Sequence, residues 1–178
     1  MIRLKTKLFT IGDTTLLRLP DEISAELPSR SQVMVKGSLN GYEFQTALEP
    51  DGNWSHWLAI DEKMRTATGV KAGDTVALDF EVTKDWIEPT IPSDLQKALD
   101  ADPEVFALWS RVTPMARWEW IRWIASTANP ETRAKRIVVS FSKLRHGERR
   151  PCCFNRAMCT NPHVSKGGRL LDPTRTEN

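Results

Sequence analysis

The first half of the chain alternates. Ile2, Leu4 and Leu8 are interleaved with Arg3, Lys5 and Lys7, the period-two signature of a strand wet on one face. Residues 14–19 predict a second short strand, and Pro20-Asp21-Glu22 suits the first turn of a brief helix ending near Pro28. Residues 32–39 are apolar and β-branched. Asn40-Gly41 reads as a hairpin turn because both residues tolerate positive φ, and residues 42–48 return as the partner strand. Asp51-Gly52 makes another turn before a strand over 54–60. Asp61 caps a helix over 61–68 that stops at Gly69. After the turn Lys71-Ala72-Gly73-Asp74, Val76, Leu78, Phe80 and Val82 face one way while Asp79, Glu81 and Thr83 face the other. Short, closely spaced strands punctuated by turns favour a small β-barrel, since closure removes exposed edges.

From Trp86 the pattern changes. Glu88-Pro89-Thr90-Ile91-Pro92 reads as a linker, because two prolines withhold donors and fix φ. Helices are predicted over 93–101, 103–111, 114–127 and 130–145, with Thr113 and Asn129 as N-caps, each followed by Pro at the first helical position. In the last helix Ala134, Ile137, Val138, Phe141 and Leu144 share a face, and Gly147 ends it. The expected fold is α+β: a barrel domain over 1–87, a helical domain over 88–147 and a Cys-rich basic tail over 148–178.

At 178 residues, 40% hydrophobic and 27% charged, the chain has ordinary globular composition, which excludes disorder and collagen-like repeats. No apolar run has the length of a membrane span and the first residues lack the apolar core of a secretion signal, so a cytoplasmic protein is expected. The net charge of +2 argues for neither nucleic acid nor membrane. Its distribution is uneven: residues 1–142 carry 17 Lys+Arg against 20 Asp+Glu, and residues 143–178 carry 8 against 3. Such a tail either contacts something anionic or is a solvated, partly disordered terminus.

Three segments could carry chemistry. Trp118-Glu119-Trp120-Ile121-Arg122-Trp123 places three indoles around much of a helix circumference. They serve either as bulk for a small core, the favoured reading, or as a platform for a partner, with Trp118, Trp120, Arg122, Arg133 and Arg136 as contact residues. Residues 129–137 form a capped helix start whose basic side chains could face phosphates. The third segment holds all three cysteines. Cys152, Cys153, Cys159 and His163 are the residue types that Zn²⁺ prefers, although the spacing matches no standard finger. The same thiols could be inert, or one could be a reactive nucleophile beside arginine. With zinc bound, Arg149, Arg150, Arg156, Lys166 and Arg169 would meet the phosphates of a nucleic acid. His56, between Trp54 and Trp57, reads as a packing or surface residue. The chain lacks an HExxH pair, a phosphate-binding glycine loop and a spaced Ser/His triad motif.

Residues 123–137, Trp-Ile-Ala-Ser-Thr-Ala-Asn-Pro-Glu-Thr-Arg-Ala-Lys-Arg-Ile, followed by Leu144-Arg145-His146-Gly147, resemble the C-terminal signature of the YdeI/OmpD-associated, or bacteriocin-protection, family. Residues 35–44 and 69–76 resemble the small domain of unknown function, DUF1905, that often precedes it, and Ile91-Pro92-Ser93-Asp94-Leu95 fits the junction. The resemblance covers most of residues 1–147. It implies a double-split barrel, the architecture of AbrB-like transition-state regulators and antitoxins, followed by a helical module. It also implies a role in tolerance of bacteriocins or cationic peptides, and it supplies no catalytic residues. The shared barrel does not establish DNA binding, and Asp79, Glu81, Asp85 and Glu88 make the last strand and its exit acidic. The expectation is a non-enzymatic binding or stress-protection protein that engages a protein or small molecule. It is expected to be monomeric, with a dimer as the alternative. A zinc-stabilised nucleic-acid binder and a thiol enzyme stand behind that reading.

Overall fold

In the computed structural model, which describes residues 1–152 and 154–173, the chain is α+β and divides into two compact units. The first gathers Met1–Asp85, Asn155–Cys159 and the described residues from His163 onward; the second gathers Trp86–Phe154 and Thr160–Pro162.

Unit one is built on β1 (Ile2–Lys7), β2 (Phe9–Ile11), β3 (Thr14–Arg18), β4 (Val33–Leu39), β5 (Tyr42–Pro50), β6 (His56–Ala59) and β7 (Thr75–Val82), with α1 (Asp21–Ala25) and α2 (Glu62–Thr68) between them. These strands form one antiparallel sheet, ordered β1-β7-β4-β5-β6-β3-β2, that curls into a half-barrel. Its two margins are halves of a single run of chain. The strand expected over residues 2–8 ends before Leu8 and a further strand, β2, follows it, so that β1 pairs with β7 at one margin and β2 pairs with β3 at the other. The Leu8 N–H donates to the Asp74 carbonyl at 2.9 Å and its carbonyl accepts from Gly73 N–H at 2.8 Å, which holds the break.

The alternation is borne out as far as Phe80, but Val82, expected on the core face, is 41% exposed at the end of β7. Val33, Val35, Leu39, Leu48, Val76, Leu78 and Phe80 fill the core with Leu17, Leu58 and Ile60, while Lys36, Asp79 and Glu81 stand on the outer face. Asn40 and Gly41 both have positive φ, as the two-residue hairpin turn requires, and set the register Leu39↔Tyr42 through Val33↔Leu48. Gly37 is needed for a different reason. A Cβ there would lie 2.0 Å from the Asp79 carbonyl oxygen, so only glycine lets β4 and β7 close up where the sheet curls. Trp54, expected inside a strand, instead occupies the turn at φ 73°, and β6 begins at His56. The Asp51 carboxylate causes this by accepting from the Asn53 and Ser55 N–H groups, which folds the chain back on itself.

The C-terminal residues of unit one are packed against it. β8 (Ser165–Lys166) and β9 (Arg169–Leu170) form a small hairpin that the sequence reading missed, turning through Gly167 and Gly168 at positive φ. Cys159 and Val164 are buried with Leu16 and Trp57, and Leu170 N–H donates to the Asp51 carbonyl. Arg18 reaches Asp51 at 2.8 Å and Asp172 at 3.7 Å.

Unit two contains α3 (Ser93–Asp100), α4 (Pro103–Arg111), α5 (Pro114–Ala125) and α6 (Pro130–Arg145). Asp102, Thr113 and Asn129 cap the last three through their side chains, each with Pro at the first helical position. Leu95, Leu99, Val105, Trp109, Trp120, Ile124 and the α6 residues Ile137, Phe141 and Leu144 form the core. Val138, expected on that face, is 68% exposed, and Ala134 is exposed too. The buried stripe runs instead through Ile137, Ser140, Phe141 and Leu144, because successive helical residues turn by 100° and Val138 falls off the seam. Among the described residues no helix is long and apolar enough to cross a membrane.

Candidate functional site

The tryptophan-rich helix α5 is the chemically densest element of unit two. Ala116, Trp120 and Ile124, four residues apart, face the core. Three ionisable side chains, Arg117, Glu119 and Arg122, are buried as well. Charged groups leave water only when paired, and Arg117 and Glu119 both have charged partners. Arg117 donates to both oxygens of Glu88, at 2.8 and 2.5 Å, and also to the Trp109 and Val112 carbonyls at the end of α4. A guanidinium thereby meets the orphaned carbonyls and the negative end of that helix. Glu119 accepts two hydrogen bonds from Arg150, at 2.6 and 2.5 Å, which hold the Arg150 guanidinium above its ordinary value. The Arg122 guanidinium lies 5.7 Å from the Phe154 ring centre. Trp120, fully buried, donates its indole N–H to the Arg149 carbonyl at 3.1 Å. The described part of segment 149–154 is thus fastened to α5 by an ion pair, a cation–π contact and a backbone hydrogen bond.

Two aromatic patches of α5 reach the surface. Trp118 is half-buried, donates to the Ile87 carbonyl at 2.8 Å and meets Trp86 edge-on at 6.3 Å. Trp123 is also half-buried and lies edge-on to Trp120, with the Arg136 guanidinium over its ring at 5.5 Å. Arg136 also donates to the Trp123 carbonyl at 2.9 Å and to the Ser126 hydroxyl. Arg133 grips Asp94 at 2.6 and 2.9 Å and holds that carboxyl below its ordinary value.

Of the five contact residues expected from sequence, Trp120 and Arg122 are therefore interior. Burial within the core and against the 149–154 segment places them there. Trp118, Arg133 and Arg136 are part-exposed. Trp123, which completes the Arg136 stack, and Glu119 are not among the expected contact residues, and Arg150, expected to meet phosphates, pairs with Glu119. The available signal was Glu119 itself, a carboxylate between two indoles and one turn before Arg122.

The four expected metal ligands are divided. Cys152 is exposed in unit two, with the Lys143 ammonium 3.1 Å from its sulfur. Cys159 is buried and His163 exposed, both in unit one, and Cys153 lies outside the described residues. Among the described residues no group of three or more His, Cys, Asp or Glu side chains is placed to hold a metal ion.

His56 is a core residue. Its Nδ1 accepts from the buried Ser24 hydroxyl, its Nε2–H donates to the Ser31 carbonyl at 2.9 Å, and burial pushes its pKa below the ordinary 6.5. Both ring nitrogens are engaged, as in a structural histidine held neutral.

Residues 88–147 match the model of the family described as bacteriocin-protection, YdeI or OmpD-associated, and residues 5–80 match the domain of unknown function DUF1905. No curated protein matches the chain.

Proposed function

Since residues 88–147 belong to the bacteriocin-protection, YdeI- or OmpD-associated family and residues 5–80 to the DUF1905 domain that precedes them here, we propose that the chain is a non-enzymatic cytoplasmic binding protein of bacteriocin or peptide stress. Its unit-two surface engages a protein partner through Trp118, Trp123 and Arg136. The observation that carries this reading is the Arg136–Trp123 stack. A guanidinium fixed over a part-exposed indole, and tied to the backbone beneath it, presents the two residue types that most often anchor protein interfaces. The stack itself contributes about 0.5–1 kcal/mol, so its ordering costs the folded protein little and leaves both groups poised for a partner. The buried ions of α5 fit the same reading, because the pairing of Glu119 with Arg150 and of Arg117 with Glu88 ties the helix down beneath the patches.

The test is survival of a bacterial strain lacking the protein when challenged with a bacteriocin, after complementation. The wild-type chain is expected to restore survival, and folded Trp118→Ala and Arg136→Ala variants to fail. Full protection by both folded variants would remove the α5–α6 surface from the function. Trp120→Ala is unsuitable for this purpose, because it empties the core.

A further inference from the structure

On the outer face of the unit-one half-barrel, β4, β5 and β7 line a groove of about 590 Å³. The registers set its side chains in cross-strand rows. Ser38 stands between Glu43 and Asp79, and in the next row Lys36 stands between Gln45 and Glu81. Lys36 is committed to Glu81 at 3.0 Å. The cation paired with Asp79 is Arg3, at 3.9 Å and with a largely exposed side chain. No ion pair to Glu43 occurs among the described residues. Glu43, beside the small Ser38 side chain, is thus the carboxylate of the groove lining that has no ion pair among the described residues.

The backbone at this groove is also available. In an antiparallel hairpin, alternate residues bond their cross-strand partners and the others turn their N–H and C=O groups outward. The two-residue turn makes Leu39↔Tyr42 and Gly37↔Phe44 bonded pairs, so Glu43 and Gln45 direct their backbone groups away from β4. β6 pairs with β5 only at Glu49 and Pro50, so among the described residues no strand lies against β5 over 42–48. Glu43, Phe44 and Gln45 all line the groove, so this open stretch of β5 lies at its margin.

We infer that the groove binds an extended peptide whose residues alternate between cationic and apolar. The peptide adds as a strand beside Glu43 and Gln45. One lysine or arginine lies against Glu43 and reaches over Ser38, while the apolar neighbours meet Tyr42 and Phe44 on the other face of the sheet. This site belongs to unit one, and the inference does not rest on the α5–α6 surface.

The probe is a dye-labelled Lys-Val-Lys-Val-Lys-Val peptide, titrated with the full chain and followed by fluorescence anisotropy. The expected result is saturable binding that weakens with salt, with no binding of the Glu-Val counterpart. Glu43→Lys should weaken binding about tenfold or more, since it sets like charges opposite one another. Gln45→Pro removes an outward N–H and should abolish strand addition; Glu43→Lys keeps the test open if the proline variant does not fold. Folded Trp118→Ala should bind the peptide like the wild type, which separates this site from the outcome of the bacteriocin challenge. Equal affinity for both peptides, or unchanged affinity in a folded Glu43→Lys protein, would overturn the inference. So would sedimentation showing the edge occupied by a second copy of the chain.

Discussion

Arg150 grips Glu119 with both branches of its guanidinium, and the two side chains sit in unlike surroundings: Glu119 is 3% exposed and Arg150 41%. Arg150→Ala takes two charge-assisted hydrogen bonds from a buried carboxylate, and from the usual 3–5 kcal/mol for breaking a buried pair, discounted for the half-exposed arginine, a loss of about 2 kcal/mol is expected. Urea denaturation measures it. The double variant Glu119→Gln/Arg150→Ala should recover part of the loss, because the buried carboxylate charge is then removed with its partner; an equal or larger loss would assign the effect to packing.

Gly37→Ala is expected to destabilise unit one by about 3 kcal/mol or to prevent folding, at the upper end of overpacking costs. The new methyl would fall 2.0 Å from the Asp79 carbonyl, and the obstruction is backbone, which cannot rotate away. Gly73→Ala is the control. It places a methyl in open space at φ 95°, so its cost is backbone strain alone, about 1 kcal/mol. Thermal denaturation of the two variants should rank them in that order.

The cysteines should label at different rates. Cys152 is exposed and should alkylate promptly, while Cys159, buried among Leu16, Trp57 and Val164, should react only when the C-terminal hairpin opens. Gly52→Ala should speed Cys159 labelling at least tenfold, since its methyl would lie 1.8 Å from the Gly168 carbonyl and push the hairpin away; about 1.4 kcal/mol of destabilisation corresponds to that factor. Site-resolved mass spectrometry after timed alkylation reads both rates. Fast labelling of Cys159 in the wild type would contradict the packing described.

His56 gives stability a pH dependence of known sign. Burial lowers its folded pKa below the unfolded 6.5, so below pH 6.5 the unfolded chain takes up a proton that the folded chain resists. Stability should therefore be level just above pH 6.5 and fall as the pH drops from there toward 5, before most carboxylates titrate. His56→Gln should lower stability throughout yet flatten that slope in urea titrations across the same range.

Much of this fold was legible because short-range rules govern it. Asn40-Gly41, Asp61 with Gly69, and the Thr113-Pro114 and Asn129-Pro130 caps mark element ends through local sterics, and the structure uses every one of them. What escaped depended on distant partners. Nothing near Leu8 announces that one strand divides between two sheet margins, since the break is held by Gly73 and Asp74. Trp54 carries strand propensity, yet the Asp51 carboxylate overrides it. In α5 the sequence shows amphipathic conflict, with charges all round a tryptophan helix. Only the fold reveals that Glu88, Arg150 and the α4 carbonyls resolve it.

The break at Leu8 has a consequence for assembly and truncation. Because residues 2–7 and 9–11 bind opposite margins of the sheet, the first eleven residues act as a clasp, one jaw engaging β7 far along the chain and the other β3 immediately after it. The half-barrel can close only after residue 82 has been made, and its earliest segment is among the last to find its place. Shortening the chain from that end would release both margins together, exposing the unpaired edges of β7 and β3 in one step instead of fraying the sheet from one side.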